Sequence, residues 1–132
     1  MKPLTSIKII EFAGLGPAPF AAMTLADLGA NVTRITRLAE NCESPTFLNR
    51  RRTVVQLDLK SEAGLAAVGK LIKGADVLIE GFRPGKMEGL GLGPNDVATI
   101  NSRIIYARMT GWGQRGPMAM LAGHDINYLG LT

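Results

Sequence analysis

Apolar and β-branched residues crowd into "SIKIIEFA" at residues 6–13, and a run of that kind bounded by turn residues reads as a first strand. "GLGPAPF" then breaks the pattern. From Ala21 onward, "AAMTLADLGA" sets Met23, Ala26 and Leu28 near helical spacing and stops at Gly29, so strand, glycine turn and helix follow in order. "NVTRIT" predicts a second short strand. Residues 38–52 collect Pro, Asn, Ser and an arginine run, the make-up of an exposed loop. "TVVQLDL" predicts a third strand. Ser61 is the expected N-cap of the next helix, with Glu62 and Ala63 in its first turn and an apolar stripe of Leu65, Val68, Leu71 and Ile72 ending at Gly74. "ADVLIEGF" reads as a buried strand, "PNDVATIN" as a short helix and "RIIYARMTG" as a further strand. There is no internal repeat and no low-complexity tract. Strands alternating with helices predict an α/β fold, a mostly parallel sheet with helices on both faces.

Composition narrows the class. The chain has 132 residues, 46% hydrophobic and 20% charged, which fits one globular domain over residues 1–132. No apolar run approaches the roughly 20 residues of a membrane-spanning helix, so no membrane partner is expected. "MKPLTSIKIIEF" lacks the cleavage site of a secretion signal, and the single cysteine, Cys42, has no partner for an internal disulfide and no clustered ligands for zinc. A cytoplasmic protein without a bound metal is the expectation, with Cys42 exposed in a polar loop. Fifteen Lys and Arg against eleven Asp and Glu give a net charge of +4, which favours anionic partners. Nucleic acid is not expected, because the one basic run, "NRRRT" at 49–53, has no interleaved aromatic residues on which bases would stack.

Parallel α/β sheets bind ligands beyond the carboxyl ends of their strands. After the first strand come Gly14, Leu15, Gly16 and Pro17, but Pro19 stands where a dinucleotide fingerprint needs its third glycine. The second strand offers Arg34 and Arg37 in place of the acid that would hold a ribose, the third ends at Lys60 and the fourth at Arg83. Taken singly, each is an ordinary surface charge. Their shared position at strand ends suits a ligand with several phosphates.

"GPAPFAAMTLADLGANVTRI", "LDLKSEAG", "ADVLIEGFRPGKMEGLGLGP", "RIIYARMTGWGQRGP" and "AGHDINYLGL" together resemble the N-terminal part of the family III CoA-transferases, and within them the α-methylacyl-CoA racemase branch, which "GHDINY" marks. The resemblance implies a Rossmann-like domain that binds coenzyme A as part of a thioester substrate, with no prosthetic group. It also implies a longer chain that forms an interlocked homodimer. This chain, stopping at Thr132 within what reads as a helix, is expected to be a fragment lacking the downstream domain. Position by position, Arg37 matches the contact to the adenosine phosphate, and Leu57, Asp58, Leu59 and Lys60 match adenine and phosphate contacts. Gly81, Phe82 and Arg83 match the next loop, and Gly123 to Tyr128, Asn127 included, match the thioester end. Gly89 departs, standing where some racemases carry a basic residue; Lys86 is the nearby substitute.

His124, the only histidine, is then weighed as core residue, metal ligand or proton carrier. Gly123 and Asp125 flank it rather than apolar residues, and partner ligands are absent from its surroundings in sequence. An imidazole titrates at about 6.5, near the pH at which proton transfer to carbon must run. "GHD" also reads as a helix start, with Asp125 as N-cap or first-turn acid and free backbone N–H groups for an oxyanion. His124 and Asp125 are the candidate catalytic residues. Asp125 is too near His124 to be the opposing base and serves mainly at the helix start. The resemblance implies racemisation through an enolate, with a second base, an aspartate, beyond Thr132. The alternatives are CoA transfer between carboxylic acids through an aspartate nucleophile, and a fragment that only binds CoA or is inactive. Trp112 is either a ligand-stacking group or a packing anchor, while Met23 and Phe20 are expected in the core.

Overall fold

Ile9 and Ile10 are neighbours in sequence and enter different cores, because successive side chains of a strand leave by opposite faces. The computed structural model describes residues 2–38 and 47–131; Cys42 lies outside the described residues. Five strands form one parallel sheet: β1 Lys8–Phe12, β2 Asn31–Thr36, β3 Arg52–Gln56, β4 Val77–Glu80 and β5 Ile105–Arg108, in the order β3-β2-β1-β4-β5. This is the predicted α/β Rossmann-like architecture, with the order reversing at β1.

Helix α1, Pro17–Asp27, covers one face, where Ala18, Ala22 and Ala26 meet Ile9, Val32 and Ile79. Alanines on that face let the helix lie close to the sheet. Helices α2, Glu62–Lys73, and α3, Pro94–Ile100, cover the other, where Val68, Ile72 and Val97 pack on Ile10, Phe12, Ile35 and Leu78. Side chains of this size, fully buried, each stabilise the fold by about 1.5 to 3 kcal/mol. The Asn101 amide donates to the carbonyls of Ile72 (3.0 Å) and Ala75 (2.8 Å), tying the end of α3 to the end of α2. A fourth helix, α4, Asp125–Leu129, stands apart from the sheet order near the end of the chain.

Several local expectations hold, and several are corrected. β2 has the predicted bounds, Ser61 caps α2 by accepting from the Gly64 N–H at 3.0 Å, and Gly74 closes it. α1 begins at Pro17, inside the stretch read as a break, because proline suits the first turn of a helix. Gly16 ahead of it has φ 75° and ψ −132°, a conformation open to glycine. Among the described residues of the expected loop at 38–52, Phe47–Asn49 forms a 3-10 turn, and the last residue, Arg52, opens β3. β3 stops at Gln56, three residues short of the predicted end. α4 closes at Gly130, and Leu131 lies outside the helix.

Candidate functional site

The carboxyl ends of the strands gather most of the predicted ligand residues. Arg37 follows Thr36, the buried last residue of β2, and is exposed. Leu57 follows β3 and is fastened to β2 by its N–H, which donates to the Thr36 carbonyl at 2.9 Å. The side chains of Leu57 and Leu59 are half-buried and pack against the core under α2, so they meet a ligand only with their outer halves or their backbone. Asp58 folds the turn into α2: its carboxylate accepts from the Lys60 N–H at 2.9 Å and its carbonyl from the Ser61 hydroxyl at 2.9 Å. That leaves Lys60 exposed at the rim.

Beyond β4, Gly81 passes close to α1, where a Cβ would stand 3.3 Å from that of Ala18. Phe82 meets Phe12 edge to face, centroids 6.4 Å apart. Its N–H donates to a Glu80 carboxylate oxygen at 2.7 Å, and Arg83 follows, exposed. The structure thus brings Arg37, Leu57 to Lys60 and Gly81 to Arg83 to one rim, beside the Gly14–Gly16 turn and the reversal of strand order.

Arg34 is a correction. It lies in the middle of β2 beside Glu11 of β1, not at the strand end. Glu11 is wholly buried, its carboxylate bonded to the equally buried Arg52 guanidinium, with Arg34 Nε at 3.6 Å. Arg34 and Arg52 also donate to the Asn49 side-chain oxygen, at 2.9 and 3.1 Å. Burial, outweighing these cationic neighbours, holds the Glu11 carboxyl above its ordinary range. The rest of the "NRRRT" run is also engaged. Arg50 bonds the Asp27 carboxylate at the end of α1, with Arg51 Nε 3.5 Å from the same group. The Arg50 hydrogen bond holds Asp27 below the usual carboxylate value. Three arginines that looked like a loop patch are therefore a clasp between this segment, β1 and α1.

The second group of predicted residues sits around α4. His124 is its N-cap residue and Asp125 its first-turn acid, both exposed. The Asn127 side-chain oxygen accepts from the His124 N–H at 2.9 Å, half of a capping box. Five residues sum to only a small macrodipole, so the electrostatic help expected of this helix start is slight. Tyr128 packs edge to face on Trp112 at 4.9 Å, and the Trp112 N–H points at the Ala122 carbonyl, 3.4 Å away. A Cβ on Gly123 would stand 2.5 Å from the Tyr128 hydroxyl oxygen and 2.9 Å from Trp112 Nε1. Trp112 is therefore a packing anchor for the turn that presents His124. Beside it opens a groove of about 440 Å³ lined by Trp112, Leu121, Ile126 and Leu131, with Leu129 also exposed nearby. Phe20, expected in the core, is 57% exposed, whereas Met23 is buried.

Glu11, Glu80 and Arg108 were not singled out by sequence, although an acid inside each of the apolar runs "IKIIEF" and "ADVLIE" was a usable signal. Among the described residues no three of His, Cys, Asp and Glu come together to hold a metal ion, and no helix is long and apolar enough to cross a membrane.

The model of CoA-transferase family III matches residues 4–132. The chain is 46% identical to the alpha-methylacyl-CoA racemase of Mus musculus over 129 residues, 98% of this chain and 33% of that protein. It is 37% identical to the succinyl-CoA:glutarate CoA-transferase of Mus musculus over 139 residues, covering 95% of this chain and 32% of that one. A CAIB/BAIF family protein from Brucella suis superposes with a TM-score of 0.89 at 30% identity, over 98% of this chain and 39% of the other. The chain spans about a third of the length of the curated relatives it matches.

Proposed function

The chain belongs to CoA-transferase family III, and from that membership we propose that it is the coenzyme A-binding domain, residues 1–132, of a longer racemase that inverts the α-carbon of 2-methylacyl-CoA thioesters. The observation that carries the coenzyme A part is the rim itself: Arg37, Lys60 and Arg83, exposed, leave three strands at the same end of the sheet. Guanidinium and ammonium groups so placed suit the phosphates, while Leu57, Leu59, Gly81 and Phe82 offer apolar edges and backbone beside them. The 46% identity to a racemase supports the isomerase part.

In this proposal the thioester acidifies the α-hydrogen. His124, exposed at the start of α4, takes that proton on one face, and the electron pair moves onto the thioester oxygen to form an enolate. An aspartate further along the longer chain returns a proton to the opposite face, and the roles exchange for the other enantiomer. Asn127 and Asp125 set the helix start from which His124 projects, with Gly123 and Tyr128 shaping the turn before it. The exposed apolar side chains Leu121, Ile126, Leu129 and Leu131 support a domain that is completed by more protein, here an interlocked homodimer of the longer, cytoplasmic chain.

Incubating the longer protein with one enantiomer of a 2-methylacyl-CoA in deuterated water tests this. α-Deuterium incorporation with loss of optical purity, without any acceptor acid, is expected. Turnover only when an acceptor acid is supplied would replace it with coenzyme A transfer between carboxylic acids, the activity that the 37% identity to a transferase supports.

A further inference from the structure

Glu80 and Arg108 pair across β4 and β5 in register, and the carboxylate, 1% exposed, divides its two oxygens between different tasks. One accepts the Phe82 N–H at 2.7 Å, which fixes the first turn of the loop after β4. The other accepts from Arg108 Nε at 3.1 Å. Another nitrogen of that guanidinium donates to Glu88 at 2.6 Å, further along the same loop. Tyr106, two residues earlier on β5, stands beneath the Arg108 guanidinium at 5.7 Å and donates its hydroxyl to the Leu92 carbonyl at 2.8 Å. Glu80 of β4 therefore holds the loop near its start, β5 holds it at Glu88 and at Leu92, and Arg83 lies between the first two of these points.

We propose that Glu80 and Arg108 are a positioning pair that presents Arg83 to the coenzyme A phosphates, a step that rests on the rim being the coenzyme A site. A buried carboxylate beside an anionic ligand would repel it if left alone. Arg108 neutralises that charge while the other Glu80 oxygen holds the loop backbone, so the first turn of the loop offers the positive charge of Arg83 outward. Neither residue of the pair touches ligand.

The test uses acyl-CoA kinetics and titration calorimetry with coenzyme A on the longer protein, with folding followed by circular dichroism. E80Q keeps the size of the side chain and an acceptor for Phe82 but breaks the ion pair. It should raise KM about tenfold, the scale of one lost charge-assisted hydrogen bond, and leave kcat within about twofold. Because the pair acts through Arg83, the double variant E80Q/R83A should bind no more weakly than R83A alone. R108K, which keeps the charge but not the fork, should show the same KM effect and the same non-additivity, and it decides the matter if E80Q does not fold. Unchanged KM in a folded variant, a fall in kcat at constant KM, or effects that add to those of R83A would overturn the pair's role. A wild-type protein that binds no coenzyme A would overturn the rim assignment and the pair's role with it.

Discussion

Glu11 and Arg52 are 41 residues apart in sequence and meet inside the molecule with both side chains at 0% exposure. The strand register places Arg52 two strands from Glu11, on the face covered by α1, and the Pro19 carbonyl of α1 closes over it at 3.4 Å. The pair thus joins the first residue of β3 to β1 and to the first turn of α1, just below the Gly14–Gly16 turn.

R52A is expected to destabilise the fold by about 3 to 5 kcal/mol, because it strands a buried carboxylate with only Arg34 nearby. The double replacement E11L/R52M should recover most of that loss, since neither charge then has to be buried. Denaturant titration measures both, and an R52A protein within about 1 kcal/mol of wild type would show that the pair is dispensable.

G123A should disturb the turn before α4, since its methyl would press on both Trp112 and Tyr128. Overpacking of this kind costs about 1 to 3 kcal/mol. Because Trp112 is the only tryptophan, its fluorescence reports the change directly, and shortening the partner in G123A/Y128L should restore much of the wild-type signal. A G123A spectrum identical to wild type would contradict the packing described.

In the longer protein the two clusters should separate kinetically. R37A or R83A should weaken acyl-CoA binding by about 1.5 to 3 kcal/mol, seen in KM. H124A should instead lower turnover by a factor on the order of 10² to 10⁴ with coenzyme A affinity nearly unchanged, the usual contribution of a positioned acid–base group. Near wild-type racemisation by H124A would remove His124 from the chemistry, and wild-type affinity in both arginine variants would remove them from the ligand.

The Asp27 clasp predicts an acid-sensitive contribution. Its folded value lies below the ordinary 3.8, chiefly through the Arg50 hydrogen bond, so its stabilisation is complete above that value and is lost as pH falls through the folded one. Glu11 acts in the opposite sense, because burial raises it. The informative quantity is therefore the difference between proteins: on acidification from about pH 6 to about pH 3, wild type should lose more thermal stability than D27N. Parallel melting curves for the two would count against the clasp.

The local chemistry of the sequence determined the elements and the rim. Ser61 and Gly74 bound α2 because capping depends on neighbours a few residues away, and the alternation in "NVTRIT" fixed both β2 and the faces its side chains take. Once strands and helices alternate, a parallel sheet follows, and its carboxyl ends collect Arg37, Lys60 and Arg83. The sequence did not separate these cations from Arg34 and Arg52, which have the same side chain and a similar setting. Only the register of β1, β2 and β3 decided that those two point under α1, where both face Glu11. Likewise, Glu80 and Arg108 are 28 residues apart and become partners only when β4 and β5 lie side by side. Charge pairing across strands is a long-range consequence of the sheet, and local pattern carries no information about which distant residue a buried charge will meet.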